Sequence, residues 1–266
     1  MKRYARLLLI TAAACATFGA PLAHAKEWTQ VNVATDATFP PFESVAPDGS
    51  LTGYDIDLIH ALCDRMQVKC NVINAAWSGM FPGLLGKKYD ALISSLNITE
   101  ERKRVMAFTD VYEFPVYRFV GPKSEHLAIT PEGLKGKTIA VQTGTPMDNF
   151  ITQRFGNVAT IKRYESGSEP YLDLASGRAD LHFSYQAQID SSFLSKPENA
   201  QRFGLIGPAY TGKDSQALGE GVAIAVRKQD DDLRLKFNTA LAQLRKDGEL
   251  KKINDKWFGA GSNVTQ

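Results

Sequence analysis

The residues of this 266-residue chain that could do chemistry stand just beyond short apolar runs. Asp36 follows Val31-Asn-Val-Ala-Thr35; Ser94, Ser95 and Asn97 follow Ala91-Leu-Ile; Arg102 comes three residues after Thr99. A carboxylate at a strand end in a cleft can pair with a guanidinium or ammonium at modest desolvation cost, although an Asp there also makes an ordinary turn. Serine and asparagine offer hydroxyl, amide and backbone contacts, or cap the helix that Thr99 begins. Arg102 carries a planar donor fork that suits a carboxylate, with unpaired backbone N–H groups of a helix start beside it. Its neighbours Glu101, Lys103 and Arg104 equally suit a solvated helix face. Phe39 and Trp77 offer ring faces for a cation or belong to the core; Pro40-Pro41 after Phe39 favours a loop. All of this is the chemistry of non-covalent recognition. No GxGxxG, P-loop, GxSxG or HExxH occurs, and His60, His126 and His182 show no metal-ligand spacing, so neither cofactor nor metal is expected.

Strand and helix signals alternate around these residues. Val31–Thr35, Cys70–Ile73 and Ala91–Ser95 read as strands, Tyr54–Met66 as an amphipathic helix and Phe81–Leu85 as a short one. Thr99 caps a helix with Glu100 and Glu101 in its first turn. A second series follows: strand Thr138–Val141, Thr145-Pro146 as N-cap and first helical residue, strand Ala159–Ile161, helix Tyr171–Ala175 and strand Ala179–Phe183. Strand Val222–Val226, helix Asp231–Leu244 and a last helix Gly248–Trp257 close the chain. Two β/α series predict two α/β lobes with mainly parallel sheets.

The chain opens as an export leader: Lys2, Arg3 and Arg6, then apolar Leu7–Phe18, then Ala23-His-Ala25 as a small-x-small cleavage site. The apolar stretch falls short of the roughly 20 residues a membrane span needs. Cleavage leaves a chain starting at Lys26, with 28 basic against 29 acidic residues and a formal charge of −1. No basic excess argues for nucleic acid. Cys63 and Cys70 remain, and an oxidising compartment favours their bridging over two free buried thiols.

Longer motifs carry a resemblance over nearly the whole mature chain. They are Thr35-Asp36-Ala-Thr-Phe39-Pro-Pro-Phe42, Gly53-Tyr-Asp55-Ile-Asp57-Leu58, Cys63-x6-Cys70 and Lys88-Tyr-Asp90-Ala-Leu-Ile-Ser94-Ser95-Leu-Asn97-Ile-Thr99-x-x-Arg102. Val141-Gln142-Thr-Gly144-Thr145, Leu174-Ala-Ser-Gly177-Arg-Ala-Asp180 and Gly248–Phe258 complete the set. Together they resemble the bacterial periplasmic solute-binding family for polar amino acids, most of all its lysine/arginine/ornithine- and histidine-binding members. The resemblance implies a type II two-lobed periplasmic-binding-protein fold, each lobe a mostly parallel sheet flanked by helices, with two crossover strands. Lobe 1 would be residues 26–113 plus 220–266, lobe 2 residues 117–212, with hinges near 114–116 and 213–219. It implies a monomeric, non-enzymatic periplasmic receptor that delivers a cationic amino acid or a derivative to an inner-membrane ABC permease.

The same resemblance assigns a site. Arg102 takes the ligand carboxylate, Phe39 and Trp77 sandwich its side chain, Asp36 receives a cationic tail, and Ser94, Ser95, Asn97, Gln142 and Thr145 supply polar contacts. Asp55 matches a family aspartate, and Asp55 and Asp57 equally suit capping of their own helix. Two departures concern the head group. Where the family places an aspartate for the α-ammonium, this chain has Tyr185, and the residue after Thr145 is Pro146, which has no N–H. They suggest either a substitute acid in lobe 2 or a ligand altered at its α-carbon, such as an opine, a decarboxylated amine or another guanidino compound. Competing readings on the same fold are a cyclohexadienyl dehydratase, with Asp36 or Glu169 as the acid or base, and a receptor that docks to a membrane sensor.

Overall fold

A computed structural model describes residues 27–260; the leader, its cleavage site and the last six residues lie outside them. In chain order the first half forms β1 (Gln30–Thr35), β2 (Thr38–Phe39), β3 (Glu43–Val45), β4 (Leu51–Thr52), α1 (Tyr54–Met66), β5 (Lys69–Asn74), α2 (Trp77–Leu85), β6 (Ala91–Leu92), α3 (Glu100–Lys103) and β7 (Met106–Phe108). Then come β8 (Tyr117–Pro122), β9 (Thr138–Gln142), α4 (Pro146–Phe155), β10 (Thr160–Tyr164), α5 (Glu169–Ala175), β11 (Leu181–Tyr185), α6 (Gln186–Ile189), α7 (Pro197–Arg202) and β12 (Phe203–Tyr210). The chain ends with β13 (Ala225–Arg227), α8 (Asp231–Lys246) and α9 (Glu249–Phe258).

Strands β2, β3 and β4 form a small antiparallel sheet, and the other ten form two five-stranded sheets, ordered β5-β1-β6-β13-β7 and β10-β9-β11-β8-β12. In the first, β5, β1 and β6 run parallel, and β13 is antiparallel to both β6 and β7. In the second, β10, β9 and β11 run parallel, and β8 is antiparallel to both β11 and β12. Each sheet is therefore mostly parallel with a single reversed strand. Those two strands, β8 and β13, are the ones the chain enters on changing sheets. The crossing segments pair through a bridge between Glu113 and Val222.

Both faces of each sheet are covered, as parallel strands require. Val31 and Val33 of β1 pack in one apolar cluster with Leu58, Ile59 and Leu62 of α1 and Phe237 and Leu241 of α8. Ala34, one position on, joins Trp77, Met80 and Leu84 of α2 in another. The second sheet repeats this alternation: Phe119 joins the cluster of Phe150, Ile151 and Phe155, while Val120 joins Tyr171, Leu174 and Phe193.

Several boundaries differ from the sequence reading. The helix expected over Phe81–Leu85 begins at Trp77, so that ring sits in its first turn. The strand expected over Ala91–Ser95 stops at Leu92, and Ser95 adopts a left-handed φ of 44°. Val222 leaves β13 to bridge Asn97 and Glu113 across the crossing point. Strands β8 and β12 were not legible, because their apolar residues are interrupted by glycine and proline, and β7 is only three residues long. Thr99 and Thr145 cap as expected, accepting from the backbone N–H groups of Arg102 and Asp148.

Cys63 and Cys70 are joined by a disulfide that ties α1 to β5 across a sequence separation of 7. So short a loop gives a modest entropic gain, about 2–3 kcal/mol in the chain-entropy model. Replacing both cysteines with serine is expected to lower unfolding free energy by about that amount and leave the circular dichroism spectrum of the folded protein unchanged. Denaturant titration measures it; an undiminished midpoint would contradict the estimate.

Candidate functional site

Between the two sheets lies a narrow cavity, lined by Asp36, Phe39, Glu43, Trp77, Ser94, Ser95, Asn97, Gln142, Thr145, Pro146, Met147 and Tyr185. Nine of the ten ligand-binding residues expected from sequence therefore meet there. The first lobe contributes the residues that follow β1 and β6, Phe39 and Glu43 from β2 and β3, and the start of α2; the second contributes the end of β9, the start of α4 and the end of β11.

Arg102 is the exception. It is buried but does not line the cavity. Its guanidinium lies over the rings of Trp77 and Phe81, at 5.5 and 5.1 Å. Nη1 donates to Asn97 O at 2.9 Å, and Nη2 reaches across to Gly144 O at 3.5 Å. A buried guanidinium must satisfy its donors, and carbonyls with two ring faces do this in place of water. Burial lowers its pKa to about 10, so it stays charged at neutral pH. It faces instead an outer groove with Phe81, Leu85, Val105, Met106, Pro146 and Asn149.

The acids of the cavity form a chain. Ser94 Oγ donates to Glu43 Oε1 at 3.0 Å and accepts from the Asp36 N–H at 3.0 Å. Asp36 Oδ1 accepts from Thr38 Oγ1 at 3.1 Å, and Oδ2 from Gln142 Nε2 at 3.1 Å across the cleft. Burial pushes Asp36 up to about 6, against the opposing effect of these hydrogen bonds. Glu43 was missed by the sequence reading. It is 1% exposed, and its Oε2 has no donor. Burial and the neighbouring Asp55 hold its pKa well above the ordinary carboxyl range, and the two acids share a hydrogen bond. A protonated Glu43 donating to Asp55 accounts for both facts.

Asp55 and Asp57 do not cap α1, whose N-cap is Gly53 with no side-chain bond. Asp55 is fully buried and accepts from Ser95 N at 2.6 Å and Tyr112 Oη at 2.9 Å. It thereby pins the left-handed backbone of Ser95, a conformation that non-glycine residues seldom adopt. Asp57 accepts from Trp257 Nε1 and pairs with Lys256, both at 2.6 Å, fastening α9 to α1. Ser94 and Asn97 do not cap α3 either.

The lobes also meet directly. Tyr185 Oη lies 3.0 Å from Ser95 O and 2.7 Å from Asn97 Oδ1, and Asn97 Nδ2 donates to Tyr117 Oη at 2.7 Å. Ser78 N donates to Glu165 Oε1 at 2.7 Å, and Gly167 N to Thr38 Oγ1 at 3.0 Å. Phe39 packs edge-on against Tyr185, centroids 5.2 Å apart.

Among known proteins, the profile of the bacterial extracellular solute-binding proteins, family 3, matches residues 31–260. The chain is 37% identical over 229 residues to the L-arginine-binding protein of Pseudomonas aeruginosa, covering 86% of this chain and 87% of that one. It is 36% identical over 230 residues to the histidine-binding periplasmic protein of Escherichia coli, covering 86% and 87%. A solved ancestral arginine-binding protein bound to arginine matches with a TM-score of 0.80 at 32% identity, over 89% of this chain and 100% of that one.

The raised pKa of Asp36 fixes the sign of a stability change. The unfolded chain releases this proton near 3.8 and the folded one near 6, so the contribution is complete below 3.8 and is lost as pH rises through 6. Wild type should lose on the order of 2 kcal/mol relative to Asp36→Asn between pH 4 and pH 7. Denaturant unfolding of both proteins across that range measures the difference; parallel curves would contradict it.

Proposed function

The chain belongs to family 3 of the bacterial extracellular solute-binding proteins, and from that membership we propose that it captures a cationic amino acid, or a derivative of one, in the cavity between its lobes. One observation carries the choice of ligand charge. The cavity is lined by two carboxyl side chains, Asp36 and Glu43, and by no Lys, Arg or His among the described residues. A cation entering beside Asp36 meets a carboxylate whose charge is made costly chiefly by burial, and the pair restores what desolvation removed. Phe39 and Trp77 flank the same space and add cation–π attraction of about 0.5–2 kcal/mol per face. The named relatives support this polarity, since their ligands are arginine and histidine.

In this reading the protein is a monomeric periplasmic receptor that hands its solute to an inner-membrane ABC permease. Residues 1–25 are the cleaved leader and Lys26 the mature N-terminus. The described residues of 26–113 and 220–266 form lobe 1 and residues 117–212 lobe 2, hinged near 114–116 and 213–219. No helix among the described residues is long and apolar enough to cross a membrane. Arg102 acts from the cavity wall: its long contact to Gly144 O is the one a ligand carboxylate would displace. Binding without turnover is proposed, because the named relatives are binding proteins. Incubation with arogenate or prephenate is expected to yield no product.

A thermal-shift screen over amino acids, amines and guanidino compounds tests the reading. Cations should raise Tm and glutamate should not, with RT ln(1 + [L]/Kd) giving about 2.7 kcal/mol at a hundredfold excess over Kd. Asp36→Asn should weaken the best cation by at least tenfold, and the wild-type affinity should fall about tenfold per pH unit below 6. If that ligand bears a carboxylate, Arg102→Ala should cost several kcal/mol, about 3–5. Tight glutamate binding with no response to any cation would overturn the proposal.

A further inference from the structure

Resting on the reading that Asp36 receives a cationic tail, we propose that the solute carries no free ammonium at its other end: it is an ω-guanidino or ω-amino compound whose head group bears a carboxylate or a neutral group. The distribution of acceptors around the cavity leads there. Both lining carboxyls, Asp36 and Glu43, stand on the β1 and β3 side and are joined through Ser94. The opposite lobe lines the cavity with Gln142, Thr145, Pro146, Met147 and Tyr185, none of them ionised at neutral pH. A second cationic centre on the ligand would face these groups.

Among the described residues, no acid of the second lobe lines the cavity; Asp190, near Tyr185, faces a different pocket. Asp148, on α4, lies outside the lining and is held by Arg163 Nε at 2.9 Å to each carboxylate oxygen. Glu165 accepts from Ser78 N and also lies outside the lining. Glu113 is buried in the crossing segment and does not reach the cavity. Beside Tyr185, Ser95 O and Asn97 Oδ1 are already faced by its hydroxyl, and Ser95 Oγ, which has no partner, is an uncharged acceptor. Thr145 Oγ1 donates to Gln142 O and accepts from Asp148 N. An α-ammonium would therefore be buried against a phenol, a proline ring, a thioether and at most one free neutral hydroxyl, with no ionic partner, and a buried charge so poorly satisfied weakens binding by tenfold or more. A carboxylate at this end is acceptable, since Arg102 stands in the adjoining wall. Agmatine and opines, which the sequence suggested, both retain a protonated amine and fall outside this class.

Matched pairs isolate the ammonium. Calorimetry on the purified protein compares arginine with 5-guanidinopentanoate, which is arginine without its α-amino group, and lysine with 6-aminohexanoate. The deamino member of the better-binding pair is expected to bind at least tenfold tighter. A smaller ratio, or a preference for the α-amino acid, overturns the proposal and leaves the cationic-tail reading standing. If neither pair nor histidine binds, the cationic-tail reading fails and takes this proposal with it. Tyr185→Asp should reverse the preference toward arginine; unchanged arginine affinity in a folded Tyr185→Asp protein also counts against the proposal. Because that change removes a ring packed against Phe39, Phe42 and Tyr117, the wild-type comparison decides by itself if the variant does not fold.

Discussion

A single buried carboxyl, Asp55, sets the shape of the site. It sits in the first turn of α1 with no exposure to solvent, and its oxygens take the Ser95 N–H and the Tyr112 hydroxyl. The Ser95 bond holds that residue left-handed, which ends β6 early and turns the chain between the lobes. Ser95 O then faces Tyr185 on the second sheet, and Ser94 Oγ faces Glu43 and the Asp36 backbone. Gly53 makes the placement of α1 possible: its φ is 141°, and a Cβ there would lie 2.0 Å from Phe42 O. The close approach of Gly53 to Phe42 and the Asp55–Ser95 bond thus fix two sides of one pocket.

The proposed preference for cations rests on the charge balance of that pocket. Asp36, Glu43 and Asp55 crowd together under nearly complete burial, and all three have raised pKa values. Sharing a proton between Glu43 and Asp55 relieves part of the repulsion. Asp36 remains, held only by neutral donors from Thr38 and Gln142. A site of this kind stores unfavourable electrostatics in the empty protein and releases it to a positively charged solute.

The contacts that join the lobes are of a different kind. Tyr185 to Ser95 and Asn97, Ser78 to Glu165, Gly167 to Thr38 and Gln142 to Asp36 are single hydrogen bonds. Each is worth on the order of 1 kcal/mol net, somewhat more where a carboxylate accepts. Such a set aligns the lobes without locking them, and two short crossing segments joined by the Glu113–Val222 bridge carry the connection.

The sequence by itself determined the architecture and most of the cavity. Periodicity located α1, α8 and the main strands, Thr99 and Thr145 announced their helices, and the motif residues around Asp36, Phe39, Ser94 and Gln142 all reached the cavity. These are local properties: an apolar period, a capping side chain or a polar residue after a strand is visible within a few positions. Only tertiary structure decided what depends on distant parts of the chain. Glu43 reads as an ordinary polar residue in a turn-rich stretch, yet the return of β6 beside it buries it against Ser94 and Asp55. Arg102 has the right chemistry and helix position, but the rings of Trp77 and Phe81 and the carbonyl of Gly144 draw its guanidinium into the wall. Burial and pairing sum over neighbours far apart in sequence, so the protonation of an acid and the direction of a guanidinium are set by the assembled fold.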